Sequence, residues 1–114
     1  MEVRLGIRIR EGGVHVYGGG RQALLEKIEE LGSIRQAALD MGMSYRAAWG
    51  KIKATEAGLG FKLLERRVGG AKGGGATLTG EARQLMRAYL IFREGLDELV
   101  NERWQKSLNK AGRL

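Results

Sequence analysis

The chain has 114 residues, with 20 Lys or Arg against 13 Asp or Glu, a net charge of +7 and a pI near 10.1. This length suits one ordinary domain, 1–114, and leaves no room for a second ligand-binding domain. No cysteine and a single histidine exclude disulfides, thiol nucleophiles, thiolate metal sites and imidazole clusters, so neither a metal nor a cofactor is expected.

A small domain this basic attracts polyanions, either nucleic acid or an anionic membrane. No stretch approaches the roughly 18–20 consecutive apolar residues of a membrane span. The opening "MEVRLGIRIREGG" also lacks the apolar core of a signal peptide. A cytoplasmic protein with no membrane partner is expected.

Val3, Leu5, Ile7 and Ile9 alternate with Arg4, Gly6, Arg8 and Arg10, which predicts a strand with one buried face. "EGG" turns it into a short partner, "VHVY", in which His15 is a strand residue beside a turn. Gly18 to Gly20 break the pattern before "RQALLEKIEELG", a helix with Leu24, Leu25, Ile28 and Leu31 on one face and Gly32 as its C-terminal cap.

Ser33 caps "IRQAALDM", with Ile34, Ala37, Ala38 and Met41 inward, and the helix ends at Gly42. Ser44 then opens "YRAAWGKIKATEAG". Two short helices joined by a glycine turn, with alanines where they cross, describe a helix-turn-helix over 33–57; an ordinary helical hairpin in a bundle is the alternative. With Ile52 at the centre of the buried face, about 100° per residue puts Ala48 and Tyr45 beside it and Trp49 at its margin. Arg46, Gly50, Lys53, Ala47 and Ala54 then face outward. Two cations among three small residues, with no acid, suit a helix lying deep in a groove of duplex DNA. Arg46, Lys51 and Lys53 supply charge near the major groove, and Tyr45 is a candidate contact to a base edge or a phosphate. Trp49 either packs in the core or touches DNA. The Ser44 hydroxyl caps the helix and can also reach phosphate.

"FKLLERRV", a glycine-rich segment and "ATLT" predict a β-hairpin over 61–79, in the position of a wing. Six glycines in "RVGGAKGGGATLTG" also raise the question of a phosphate loop. A P-loop needs Ser or Thr after its lysine and a helix to follow, whereas Lys72 precedes Gly73 and the loop runs into "ATLT". The dinucleotide spacing fails as well, because Leu78 stands where the last glycine should follow Gly73 and Gly75. Lys72 is therefore read as a phosphate contact at the wing tip. From Ser44 to Lys72 there are seven Lys or Arg and two Glu, a local balance of +5; from Thr79 to Leu108 the count is five against five.

Thr79 caps the last helix, 79–108, which has no strong breaker and would reach about 43 Å. Leu85, Tyr89, Phe92, Leu96 and Leu99 form a coiled-coil-like seam, widened by Met86, Leu90, Ile91, Val100 and Trp104. So much apolar surface calls for a second copy of the chain as cover.

"GSIRQAALDMGMSYRAAWGKIKATE" followed by "LLERRVGGAKGGGATLTGEAR" resembles the N-terminal DNA-binding domain of the ModE family of molybdate-responsive transcriptional regulators. It is more distantly similar to the helix-turn-helix of LysR-type regulators. The resemblance implies a mainly α fold with small β elements: a winged helix-turn-helix with an N-terminal β-hairpin and a long C-terminal dimerisation helix, bound to a palindromic operator. It places Tyr45 and Arg46 at the groove and Arg67, Lys72 and the neighbouring glycines in the wing, at the DNA backbone. Family members continue into molybdate-binding domains, whereas this chain stops at Leu114, so it is expected not to respond to molybdate on its own. The expected function is that of a homodimeric, non-enzymatic, sequence-specific regulator of transcription with an implied link to molybdenum metabolism. The alternatives are a nonspecific architectural nucleic-acid binder and a protein-interaction module docking through the long helix.

Overall fold

The computed structural model describes residues 1–67 and 75–112, except the side chain of Arg67. The order of elements is β1 (Arg8–Glu11), β2 (Val14–Gly18), α1 (Gly19–Leu31), α2 (Ile34–Asp40), α3 (Tyr45–Leu59), β3 (Leu64–Arg67), β4 (Gly75–Leu78), α4 (Gly80–Arg93) and α5 (Leu96–Ala111). This is the winged helix-turn-helix expected from the sequence, with an N-terminal hairpin and a helical arm at the C-terminal end.

Short-range chemistry sets most boundaries. Ser33 Oγ accepts from Gln36 N at 3.1 Å, Ser44 Oγ from Ala47 N at 3.0 Å and Thr79 Oγ1 from Ala82 N at 3.0 Å, so each hydroxyl satisfies one orphan donor of a first helical turn. Gly32 and Gly60 close α1 and α3 in the left-handed region, at φ 69° and 80°. Gly42, at φ 69°, turns α2 into α3.

The core forms where α1, α2 and α3 meet β2 and the wing strands. Tyr17, Leu24, Leu25, Ile28, Ile52 and Leu63 are essentially inaccessible, and Ala37 and Ala48 permit the close crossing of the helix-turn-helix. β3 and β4 pair antiparallel in a register running from Leu64 opposite Leu78 to Arg67 opposite Gly75. The wing is tied to the helices at its base. Ala76 N donates to Gly32 O at 3.1 Å, Leu63 N to Glu56 Oε2 at 2.8 Å and Thr79 Oγ1 to Lys62 O at 2.7 Å.

Several expectations are corrected. The N-terminal strand covers Arg8–Glu11 rather than 3–10, and Ile9 is exposed; Val3, Leu5 and Ile7 are half-buried outside any sheet, with Val3 and Leu5 tied to the helical arm. The strand pattern does end at Gly18, but Gly19 and Gly20 do not stand ahead of the helix. They form the first turn of α1, whose cap, Gly18, has no side chain to accept a hydrogen bond. The wing's first strand begins at Leu64, not Phe61.

The C-terminal helical segment runs from Gly80 to Ala111, past the expected end at 108, and is interrupted at Glu94–Gly95, where Gly95 takes φ 78°. Glycine adopts that conformation without the steric cost of a Cβ, so it acts as a breaker inside an otherwise unbroken apolar pattern. α4 folds onto the core and buries Ala82, Met86 and Tyr89, whereas α5 buries no residue. The chain is accordingly elongated, 64 × 29 × 22 Å. No helix among the described residues is long and apolar enough to cross a membrane.

Candidate nucleic-acid interface

The exposed flank of α3 is built on two aromatic rings. Tyr45 and Trp49, one helical turn apart, meet edge to face with centroids 6.3 Å apart and an interplanar angle of 84°. Both are half-buried and pack against the core, which fixes their orientation. Around them stand cations from three elements. Arg35, in the first turn of α2, lies over the Tyr45 ring at 4.4 Å, while Arg66 of β3 and Lys53 of α3 lie over Trp49 at 5.1 and 5.3 Å. Arg66 Nη2 also donates to Tyr45 Oη at 3.4 Å. Each ring face attracts a cation through its quadrupole, worth about 0.5–1 kcal/mol at exposed sites, which is enough to bias flexible side chains toward one surface.

One acid enters this region under control. Glu56 is tied by Leu63 N and sits 3.5 Å from Lys53 Nζ, so its charge is spent in holding the start of the wing. Arg46 projects from the exposed side of α3 and makes no hydrogen bond or ion pair among the described residues.

The structure sorts the sequence-predicted residues. Tyr45, Arg46, Trp49 and Lys53 share one flank of α3. Ser44 is the N-cap, exposed at the start of the same helix. Lys51 emerges exposed on the opposite flank. Burial, followed by the charges of Arg21, Arg8 and least Lys51, lowers the His15 pKa, and its Nε2 is enclosed with no hydrogen-bond partner among the described residues. The Arg67 side chain and Lys72 lie outside the described residues. Sequence reasoning missed Arg35 and Arg66. Their charge was visible, but their meeting with Tyr45 and Trp49 depends on how α2, α3 and the wing come together.

The predicted dimer seam divides as well. Tyr89 is 7% exposed and packs against Tyr17, ring centroids 5.5 Å apart at 78°, while Tyr17 Oη donates to Gln22 Oε1 and Gln22 Nε2 to Met86 O. Tyr89 is therefore a core residue, and Leu85 is half-buried against the same core. Leu96 is half-buried, and Phe92 and Leu99 remain in solvent, 53% and 59% exposed, with Leu90, Ile91 and Trp104.

A helix-turn-helix with a wing at its side and a row of cations over its second helix defines a DNA-binding regulatory domain. Residues 21–83 match the family described as bacterial regulatory helix-turn-helix protein, lysR family, and the chain belongs to that family. Among curated proteins it is similar to the molybdenum-pterin-binding protein MopB of Rhodobacter capsulatus, 39% identical over 92 residues that cover 81% of this chain and 34% of that one. It is also similar to the transcriptional regulator ModE of Haemophilus influenzae and to the DNA-binding transcriptional dual regulator ModE of Escherichia coli K12. Each is 42% identical over 69 residues, 60% of this chain and 27% or 26% of theirs. The chain thus spans about a third or less of these relatives. The protein chain in the crystal structure of the CbnR_DBD–DNA complex shares the fold, with a TM-score of 0.54 at 22% identity, over 82% of this chain and 97% of that one.

Proposed function

We propose that the protein is a non-enzymatic, sequence-specific regulator of transcription that binds duplex DNA as a homodimer in the cytoplasm. The observation that carries this reading is the convergence of Arg35, Lys53 and Arg66, from α2, α3 and β3, on the Tyr45–Trp49 pair beside Arg46, which has no ion pair among the described residues. Arg46 is assigned to base edges, and Arg35, Lys53 and Arg66 to phosphates, with Arg67 and Lys72 extending the phosphate contacts along the wing. Tyr45, with Arg35 over its ring and its hydroxyl accepting from Arg66, acts as a support rather than a reader. Lys51 meets a more distant phosphate. A link to molybdenum metabolism is proposed from the names of the ModE and Mop relatives.

Selection of bound sites from a random duplex pool tests the reading, and a near-palindrome is expected. If a dimer neutralises about six phosphates, log affinity falls with log salt at a slope near −5. A flat salt dependence, or preference for single strands, would contradict it.

Arg66→Ala should weaken all duplexes alike and reduce the slope by about 1 per site. Trp49→Ala, which removes no charge, should act in the same direction because it withdraws the support of Arg66 and Lys53, and Trp49→Phe should restore binding. Arg46→Ala should instead relax sequence preference, at about 1–3 kcal/mol of discrimination. Binding of each variant to the selected and scrambled sites separates the roles, and reversed patterns would refute the assignment.

A further inference from the structure

Residues 1–7 belong to neither sheet, yet Met1, Val3 and Leu5 are held along the arm. Val3 N donates to Asn101 Oδ1 at 2.7 Å, and Val3 O accepts from Asn101 Nδ2 at 3.0 Å, so one side-chain amide pairs with both backbone groups of one residue. The same Nδ2 donates to Asp97 O at 2.7 Å, one turn back in α5, which orients the amide before the segment arrives. From the other side of the Glu94–Gly95 break, Arg93 Nη1 donates to Leu5 O at 3.4 Å and Nη2 to Asp97 Oδ1 at 3.3 Å. Trp104 Nε1 donates to Met1 Sδ at 3.3 Å. Val3, Leu5 and Ile7 are half-buried, while Glu2, Arg4 and Gly6 are exposed.

These contacts cross the weakest joint of the fold. α5 buries no residue of its own, and its N-cap, Gly95, offers no side-chain hydrogen bond. A two-residue break ending in a left-handed glycine does not by itself define the direction of the helix that follows. α5 is 16 residues long, about 24 Å. A tilt of about 10° at Gly95 would move its far end by about 4 Å, more than the roughly 3.4 Å rise of one base step.

We propose that residues 1–7 are a strap fixing the direction of α5 relative to the DNA-binding face, with Asn101 as its positioning residue, and that the strap thereby sets the half-site spacing the dimer accepts. The second clause rests on the homodimeric reading above. Because Asn101 engages backbone groups, the strap works by position and extended conformation rather than by the identity of residue 3.

The absence of cysteine allows paired spin labels at Glu26→Cys in α1 and Lys110→Cys in α5, with labelled chain diluted in unlabelled chain so that only distances within a protomer are read. One narrow distance distribution is expected for the otherwise unchanged protein. Asn101→Ala and Asn101→Asp both lose the donation to Val3 O and should broaden the distribution, and exchange of the Val3 amide should quicken about tenfold in Asn101→Ala. On duplexes carrying two selected half-sites at stepped spacings, the unchanged protein should favour one spacing by roughly tenfold. Asn101→Ala should lose that preference while binding a single half-site normally. Unchanged label distances in both variants would overturn the strap whatever the DNA results. Broadened distances with an intact spacing preference would overturn the second clause. A protein that sediments as a monomer would refute the homodimer and the spacing clause together, while the label distances would still decide whether the strap holds α5.

Discussion

Replacing Phe92 and Leu99 together by glutamate is expected to leave each protomer folded, convert the protein to a monomer and reduce operator affinity by about 10²- to 10⁴-fold, the avidity lost when two linked half-site contacts become independent. Both side chains are more than half exposed in the protomer, so neither substitution opens a cavity in its core. Together with Leu90, Ile91 and Trp104 they leave large apolar side chains in solvent on both sides of Gly95. An apolar surface of this kind on a small protein is best explained by a partner. At an interface between copies, the introduced carboxylates would be desolvated beside one another, and the charged forms would oppose association. Two recognition helices related by a two-fold axis would face DNA about one turn apart, roughly 34 Å, or at a multiple of it. Sedimentation at micromolar concentration decides the first step, and a wild-type protein that is already monomeric there would end the proposal.

Gly58→Ala is expected to destabilise the fold by about 1–3 kcal/mol, although alanine is the better helix former by about 1 kcal/mol. A Cβ at position 58 would fall 2.0 Å from Val16 Cγ1 and 3.0 Å from Val16 Cβ. Val16 is fully buried in β2, and its β-branched side chain has little rotamer freedom with which to retreat. The N-terminal hairpin and α3 can therefore approach as they do only because position 58 lacks a side chain. That approach is reinforced from the α3 side, where Thr55 Oγ1 donates to Val16 O, and from α1, where Arg21 Nη1 donates to His15 O at 2.9 Å and to Thr55 Oγ1 at 3.1 Å. Forcing the hairpin away would loosen this node. Val16→Ala in the same chain should recover much of the loss, so that the double variant is more stable than the sum of the single changes implies. Denaturant unfolding of the four proteins measures the coupling, and strictly additive effects would show that the close approach is not the cause.

The elements that could be read from the sequence are those specified within a turn or two of chain. Ser33, Ser44 and Thr79 announce helix starts because their hydroxyls satisfy amides only three residues ahead, and Gly32 announces a stop because the left-handed conformation it permits is a property of that residue. The exposed flank of α3 followed from helical periodicity, and the wing from strand-like flanks around a glycine-rich turn. The concentration of positive charge needed only counting.

Tertiary structure decided the features that join distant parts of the chain. Tyr89 lies on the same heptad pattern as Phe92, yet Tyr17 and the Gln22 bridge draw it into the core, because α4 docks there and α5 does not. Gly95 is one residue in an apolar repeat, but it becomes a joint where the helical segment leaves the core, since α4 buries Ala82, Met86 and Tyr89 and α5 buries no residue. Arg35 and Arg66 are 31 residues apart in the sequence and are brought to one aromatic pair by the crossing of α2 with α3 and the tethering of the wing at Glu56 and Gly32. The period-two pattern of Val3, Leu5 and Ile7 predicted a strand with one buried face; the shielded face is there, but the sheet begins only at Arg8. Alternation records only that one side is shielded from water, and the choice of Asn101 as the partner for Val3 depends on where α5 passes in space.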